Sequence, residues 1–218
     1  MQFPFSLENF LNVFKNYNES IFPLQIIFYL VAFISIYFLF NRKESGNKFI
    51  ASALSFYWLW IGIVYHIIFF STINKAAYIF GILFIVQGVL FAFYGVVKDV
   101  LSFEYQKNIF NYIGIIFIAY ALIIYPVLGH LFGHQYPYSP TFGLPCPTTI
   151  FTFGILLFTS KKISMILLII PFVWSLIGTM AALKLSVYED YGLLIAGISG
   201  LIILMVENKK DFRIVKTV

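Results

Sequence analysis

Long apolar runs closed by short polar joints constrain this chain more than any motif in it. The run FPLQIIFYLVAFISIYFLF shows the type. As a helix rising 1.5 Å per residue, a stretch of roughly twenty such residues spans the ~30 Å hydrocarbon core of a bilayer. It has none of the period-2 alternation of an outer-membrane strand, so a β-barrel is set aside. At 61% hydrophobic and 11% charged residues, the chain has too little polar surface for a soluble globule. The expected fold is all-α: a polytopic membrane helical bundle of about seven transmembrane helices.

In chain order, residues 1–20 are too polar to cross. Leu7, Phe10, Leu11 and Phe14 nevertheless recur at helical spacing behind Ser6, which predicts a capped amphipathic helix in the interface. The start lacks a basic n-region and a small-residue cleavage site, so the first apolar block is expected to stay as a span. A transmembrane domain is expected over 21–207, with long spans near 22–40, 49–70, 76–97, 109–128, 163–183 and 191–206. A basic cytoplasmic tail, 208–218, follows. Asn74 is expected to cap the third span, and Pro171 to kink the sixth. The fifth span is short: after Pro145, Cys146 and Pro147 only residues 148–159 precede Lys161, about 18 Å of helix. Either extended backbone from about Phe142 completes it against its neighbours, or it is re-entrant.

Charge placement favours seven crossings. With the N-terminus outside, the inner side holds Arg42, Lys43, Lys48, Lys98, Lys107, Lys161, Lys162, Lys209, Lys210, Arg213 and Lys216. The outer side holds Lys15, Lys75 and Lys184, so 11 of the 14 basic residues lie inside, as the positive-inside rule asks of a cytoplasmic C-terminus. The formal charge of +5 therefore reports topology and does not point to nucleic acid.

The only long interruption is HLFGHQYPYSPTFGLPCPTTIFTFGILL, residues 130–157. The topology brings His66, His130, His134, Cys146, Glu189 and Asp190 to one side of the membrane. If the helix continued through Gly133, His130 and His134 would share a face and offer two ligands to zinc or copper, with His66, Cys146 or Asp190 completing the shell. Plainer roles exist for each: interfacial histidines bonded to carbonyls, a buried cysteine packing as a small hydrophobe, and acids in the first turn of the last helix facing its dipole. The lone cysteine forms no internal disulfide. Gly178, Ala181 and Ala182, facing Gly192, Ala196, Gly197 and Gly200, predict close packing of the last two spans.

No P-loop, dinucleotide-binding glycine pattern, G-x-S-x-G or C-x-x-C is present, and the last span has no lysine to hold retinal. Residues 58–88, 133–157 and 174–197, with their Pro-Thr-Phe-Gly and Pro-Cys-Pro-Thr-Thr runs, resemble the uncharacterised bacterial membrane family DUF6064. The resemblance covers most of the chain. It implies a small multi-pass protein of the bacterial inner membrane, and no substrate or catalytic residue.

Three functions remain, each with a structural mark. Transport of a small solute, proton or metal ion is the first expectation, suggested by polar Tyr57, Gln87 and Tyr120 inside helices. Its mark is a pocket joining Gln87 to His66 and Asp190. An assembly or accessory role, with a membrane-protein partner or a second copy, would show a dry, filled centre. A metal-dependent membrane enzyme, the least favoured, would bring the histidines and an acid or Cys146 to one point.

Overall fold

The computed structural model describes residues 5–41 and 44–215, which form helices joined by turns and two isolated bridges. Arg42, Lys43 and Lys216, counted above among the inner basic residues, lie outside them, as do residues 1–4, 217 and 218. Helix α1 (Leu7–Ile21) is amphipathic, and the Ser6 hydroxyl oxygen accepts from the Asn9 N–H at 3.2 Å, the expected cap. The axis then turns by 85° into α2 (Leu24–Phe40). Pro23 stands at the break; proline disfavours helix in the residue before it, and Phe22 is extended.

Among the described residues, five helical stretches are long and apolar enough to cross a membrane: α3 (Ser45–Thr72), α4 (Ala77–Val97), α5 (Ile109–Leu131), α7 (Ile166–Leu185) and Tyr188–Lys209. The last comprises a 3₁₀ turn and most of α8 (Tyr191–Val215). The bent α1–α2 pair makes a sixth candidate. Seven is thus more than length alone supports: α2 has 17 residues, about 25 Å of helix, and α6 (Pro145–Leu156) only 12. Helix α6 starts earlier than the 148–159 stretch read from the sequence, because Pro145 and Pro147 fall in the first turn, where the missing N–H costs nothing. Its residues from Pro147 to Leu156 are all buried. Helix α7 runs on through Pro171, and the backbone of α8 continues to Val215.

Bare backbone sets the helix contacts. A Cβ on Gly62 of α3 would lie 2.8 Å from the Gly81 carbonyl of α4, and one on Gly114 of α5 2.9 Å from the Gly154 carbonyl of α6. Between α7 and α8, Gly178 meets Leu193 and Gly197 meets Ser175, the close approach that the small residues predict. At the centre Trp58 stacks on Phe84 at 4.4 Å between centroids and donates to Thr152 Oγ1 at 3.0 Å, joining α3, α4 and α6. The polar residues inside the helices are ties. Tyr57 donates to the Phe28 carbonyl at 2.8 Å, and Gln87 to the Leu167 carbonyl at 3.0 Å.

Each end of the bundle is strapped. At one, Tyr17 donates to the Gly143 carbonyl at 3.1 Å, and Asn18 Nδ2 to the carbonyls of Pro137 and Ser139 at 2.7 and 2.9 Å. These bonds hold the proline-rich segment 132–144 onto α1. At the other end Asn47 accepts from the Phe103 N–H at 2.8 Å, and the Tyr105 N–H donates to the Leu39 carbonyl at 3.1 Å. Among the described residues, three stretches wind as π-helix, Ile61–Phe69, Phe93–Val97 and Tyr120–Ile124. The first carries Tyr65 and His66 and the third ends beside Tyr125, next to the site described below.

Candidate functional site

At the α1 end the helices leave a cavity of about 400 Å³. Its walls are aromatic, from Phe10 and Phe14 of α1, Tyr65 and Phe70 of α3, Phe80 of α4 and Trp174 of α7. Stacking builds the α1 wall: Phe10 and Phe70 lie 5.9 Å apart, Phe14 and Tyr65 6.2 Å, Tyr65 and Phe70 5.7 Å. Asn74, Tyr125, Cys146, Lys184 and Asp190 supply its polar side-chain groups besides Tyr65 and Trp174. Asn74 does not cap α4 as expected: its Oδ1 accepts from the Ala76 N–H at 3.0 Å in the preceding turn, and Ala76 itself is the N-cap.

Two acids stand at the cavity, and one of them, Asp190, lines it. Both lie in the 3₁₀ turn that leads into α8, and both are buried, Glu189 fully and Asp190 to 95%. Buried carboxylates need partners. Tyr125 donates its hydroxyl proton to Asp190 Oδ1, and Cys146 sits beside the same carboxylate. Glu189 Oε1 lies 2.8 Å from His134 Nδ1, while its Oε2 has no hydrogen-bond partner. Tyr120 closes the turn by donating to the Glu189 carbonyl at 2.7 Å.

The five residues read as candidate metal ligands, His66, His130, His134, Cys146 and Asp190, do not form one shell, and among the described residues no group of three or more His, Cys, Asp or Glu is arranged to hold a metal ion. Cys146 and Asp190 do meet. His130 and His134 do not share a face: α5 ends at Leu131, Gly133 turns the chain with a φ of +93°, and His130 is left exposed. His134 pairs with Glu189 instead. His66 is fully buried among rings, with its centroid 4.6 Å from Phe84 and 5.0 Å from Trp174 and neither ring nitrogen hydrogen-bonded.

The His134–Glu189 pair makes stability depend on pH. The hydrogen bond to Glu189 raises the His134 pKa above its ordinary 6.5, against the lowering effect of burial. The protonated form is therefore favoured by folding. Its contribution is fully present below pH 6.5, the unfolded value, and is lost as pH rises through the higher folded value. Detergent-purified wild type is expected to melt at progressively lower temperature across that window, while His134→Gln, which cannot titrate, shows no such step. Identical pH profiles for the two proteins would refute the pair's role.

Tyr125, Trp174 and the aromatic face of α1 complete the site, and nothing in the sequence marks them as site residues. Tyr125 precedes a proline in an apolar run, and Trp174 reads as ordinary core. Phe10 and Phe14 show helical periodicity, which predicts a buried face without saying what that face encloses.

No curated protein and no solved structure matches the chain. One family does, over residues 7–215. With every helix and both straps inside that range, the chain belongs to the family of unknown function DUF6064.

Proposed function

We propose that this protein is a small-solute-handling membrane protein, non-catalytic, which takes an amphipathic molecule into the cavity at the outer end of its bundle. One observation carries the reading: a cavity of about 400 Å³ lined mostly by aromatic and aliphatic side chains, with a buried carboxylate, Asp190, among its few polar groups. Pockets of this size and character hold small ligands by apolar contact and orient them by a few polar groups. The cavity reaches Asp190 but is not lined by Gln87 or His66, so the reading is of binding at one end of the bundle. The packed Trp58–Phe84 centre is also what an assembly protein would have; the cavity tips the balance toward solute.

The proposed setting is the bacterial inner membrane, crossed seven times with α2 and α6 as the short crossings, N-terminus outside and C-terminus in the cytoplasm. Lys15, which sits over the Tyr138 ring at 5.3 Å, Lys75 in the α3–α4 turn and Lys184 on the cavity lining support this, since the three basic residues assigned outside all belong to the cavity end.

Ten-carbon 10-bromodecan-1-ol tests the reading, because bromine quenches indole fluorescence and Trp174 lines the cavity. Saturable quenching is expected for the detergent-purified protein, with about tenfold weaker binding in Ala181→Phe, where a ring fills the space. Linear, unsaturable quenching that is equal in both proteins would sink it.

A further inference from the structure

Three features of the cavity say more about its occupant, on the reading just given. The first is depth. Lys184 ends α7 at the exposed rim, whereas Asp190 is buried beside Cys146, and the Cys146 sulfur and the Trp174 indole nitrogen both lie close to Gly178 of α7. The ammonium therefore stands at the mouth of the cavity and the carboxylate inside it.

The second feature is the opening. Met180 and Leu183 line the cavity and are 65% and 60% exposed on a helix long enough to span the membrane. An exposed apolar residue on such a helix faces acyl chains, so the cavity is bordered by lipid on its α7 side. The third is charge. The same outer end carries a carboxylate, Asp190, and an ammonium, Lys184. Asp190 Oδ1 is already held by Tyr125, which fixes the carboxylate in place to receive a cationic donor.

We infer that the cavity binds an outer-leaflet phospholipid with a primary-ammonium head, a phosphoethanolamine lipid. The ammonium enters to donate to Asp190, the phosphate meets Lys184 at the rim, and the acyl chain leaves past Met180 and Leu183 into the bilayer. A choline head has no N–H to give to the carboxylate, and a glycerol head has no positive charge. Both should bind less well.

Single-chain lysolipids of equal chain length, with ethanolamine, choline or glycerol heads, test this by native mass spectrometry on the full-length protein in detergent. Wild type is expected to hold the ethanolamine form about tenfold more tightly than the other two. Asp190→Asn should level the three affinities. Lys184→Gln, at the exposed rim, should weaken all three alike. Equal affinities in wild type overturn the inference, as does an ethanolamine preference that survives Asp190→Asn, or full affinity in Lys184→Gln. Should Asp190→Asn not fold, the wild-type head-group order and Lys184→Gln decide the matter between them. Saturable quenching without a head-group preference would leave the cavity reading standing and remove this one; loss of the quenching itself would remove both.

Discussion

Trp58→Ala is expected to destabilise the folded bundle by about 3–5 kcal/mol, the range for removing a large buried aromatic side chain. Trp58 is fully buried, stacks on Phe84 at 4.4 Å, and donates to Thr152 at 3.0 Å. In a bilayer the apolar tails outside are as comfortable for a side chain as the protein interior. Packing and hydrogen bonding therefore hold helices together, with little hydrophobic gain between them. Alanine removes both at the point where three helices meet. Trp58→Phe keeps part of the stack but loses the hydrogen bond and the volume of one ring, so it should cost less, about 1–3 kcal/mol. Unfolding of the detergent-purified protein in a denaturing-detergent titration reads the difference. Equal stability of all three proteins would mean that the centre is not what holds the bundle.

Asn18→Ala should cost about 2–4 kcal/mol and free the segment over the cavity. Asn18 is fully buried, its amide group donates to two carbonyls of that segment, and its Oδ1 accepts from Thr141 at 2.9 Å. Removing the side chain leaves the buried Ser139 carbonyl unsatisfied, at about 1–3 kcal/mol, and costs less at the half-buried Pro137 carbonyl and Thr141 hydroxyl. Asn18→Asp should be nearly as damaging: it keeps the acceptor for Thr141 but turns a second oxygen toward the Pro137 and Ser139 carbonyls. Protease sensitivity within 132–144 is the direct readout, expected to rise in both variants. Unchanged cleavage and stability in Asn18→Ala would show that the strap is held elsewhere.

Much of this fold was legible from hydropathy, because a helix of about twenty apolar residues in a bilayer satisfies its own backbone and needs little else. The capped amphipathic first helix, the long spans near 49–70, 76–97 and 109–128, the short fifth helix and the small-residue face of α7 against α8 were all visible this way. Ends were less so. Pro145 and Pro147 look like loop residues yet open α6, and His134 looks like the helical partner of His130 until Gly133 reverses the chain. The shape of the site was the least legible part. Spacing within one helix says which residues share a face. It says nothing about the crossing of helices far apart in sequence, which alone brings Asp190 to Tyr125 and Cys146, and Trp174 to His66. Polar Tyr57 and Gln87 suggested a solute path, but a polar side chain inside a bilayer must find a partner whatever its purpose, and theirs are carbonyls of neighbouring helices.

The short α6 has a further consequence, for how the chain is made. From Pro147 to Leu156 it turns no residue toward lipid, and Thr148, Thr149 and Thr152 are all buried. Thr149 and Thr152 return their hydroxyl protons to carbonyls of their own helix, those of Pro145 and Thr148, at 2.8 Å each. A translocon sorts segments by how well they dissolve sideways into the bilayer, and this one, at 12 residues, is too brief to be released alone. Its solvent during biogenesis is therefore protein. Helices α3 and α5 precede it in the chain and supply Trp58 and the bare face at Gly114, so the mould for α6 is synthesised before the piece that fills it, and α7 and α8 close over it afterwards.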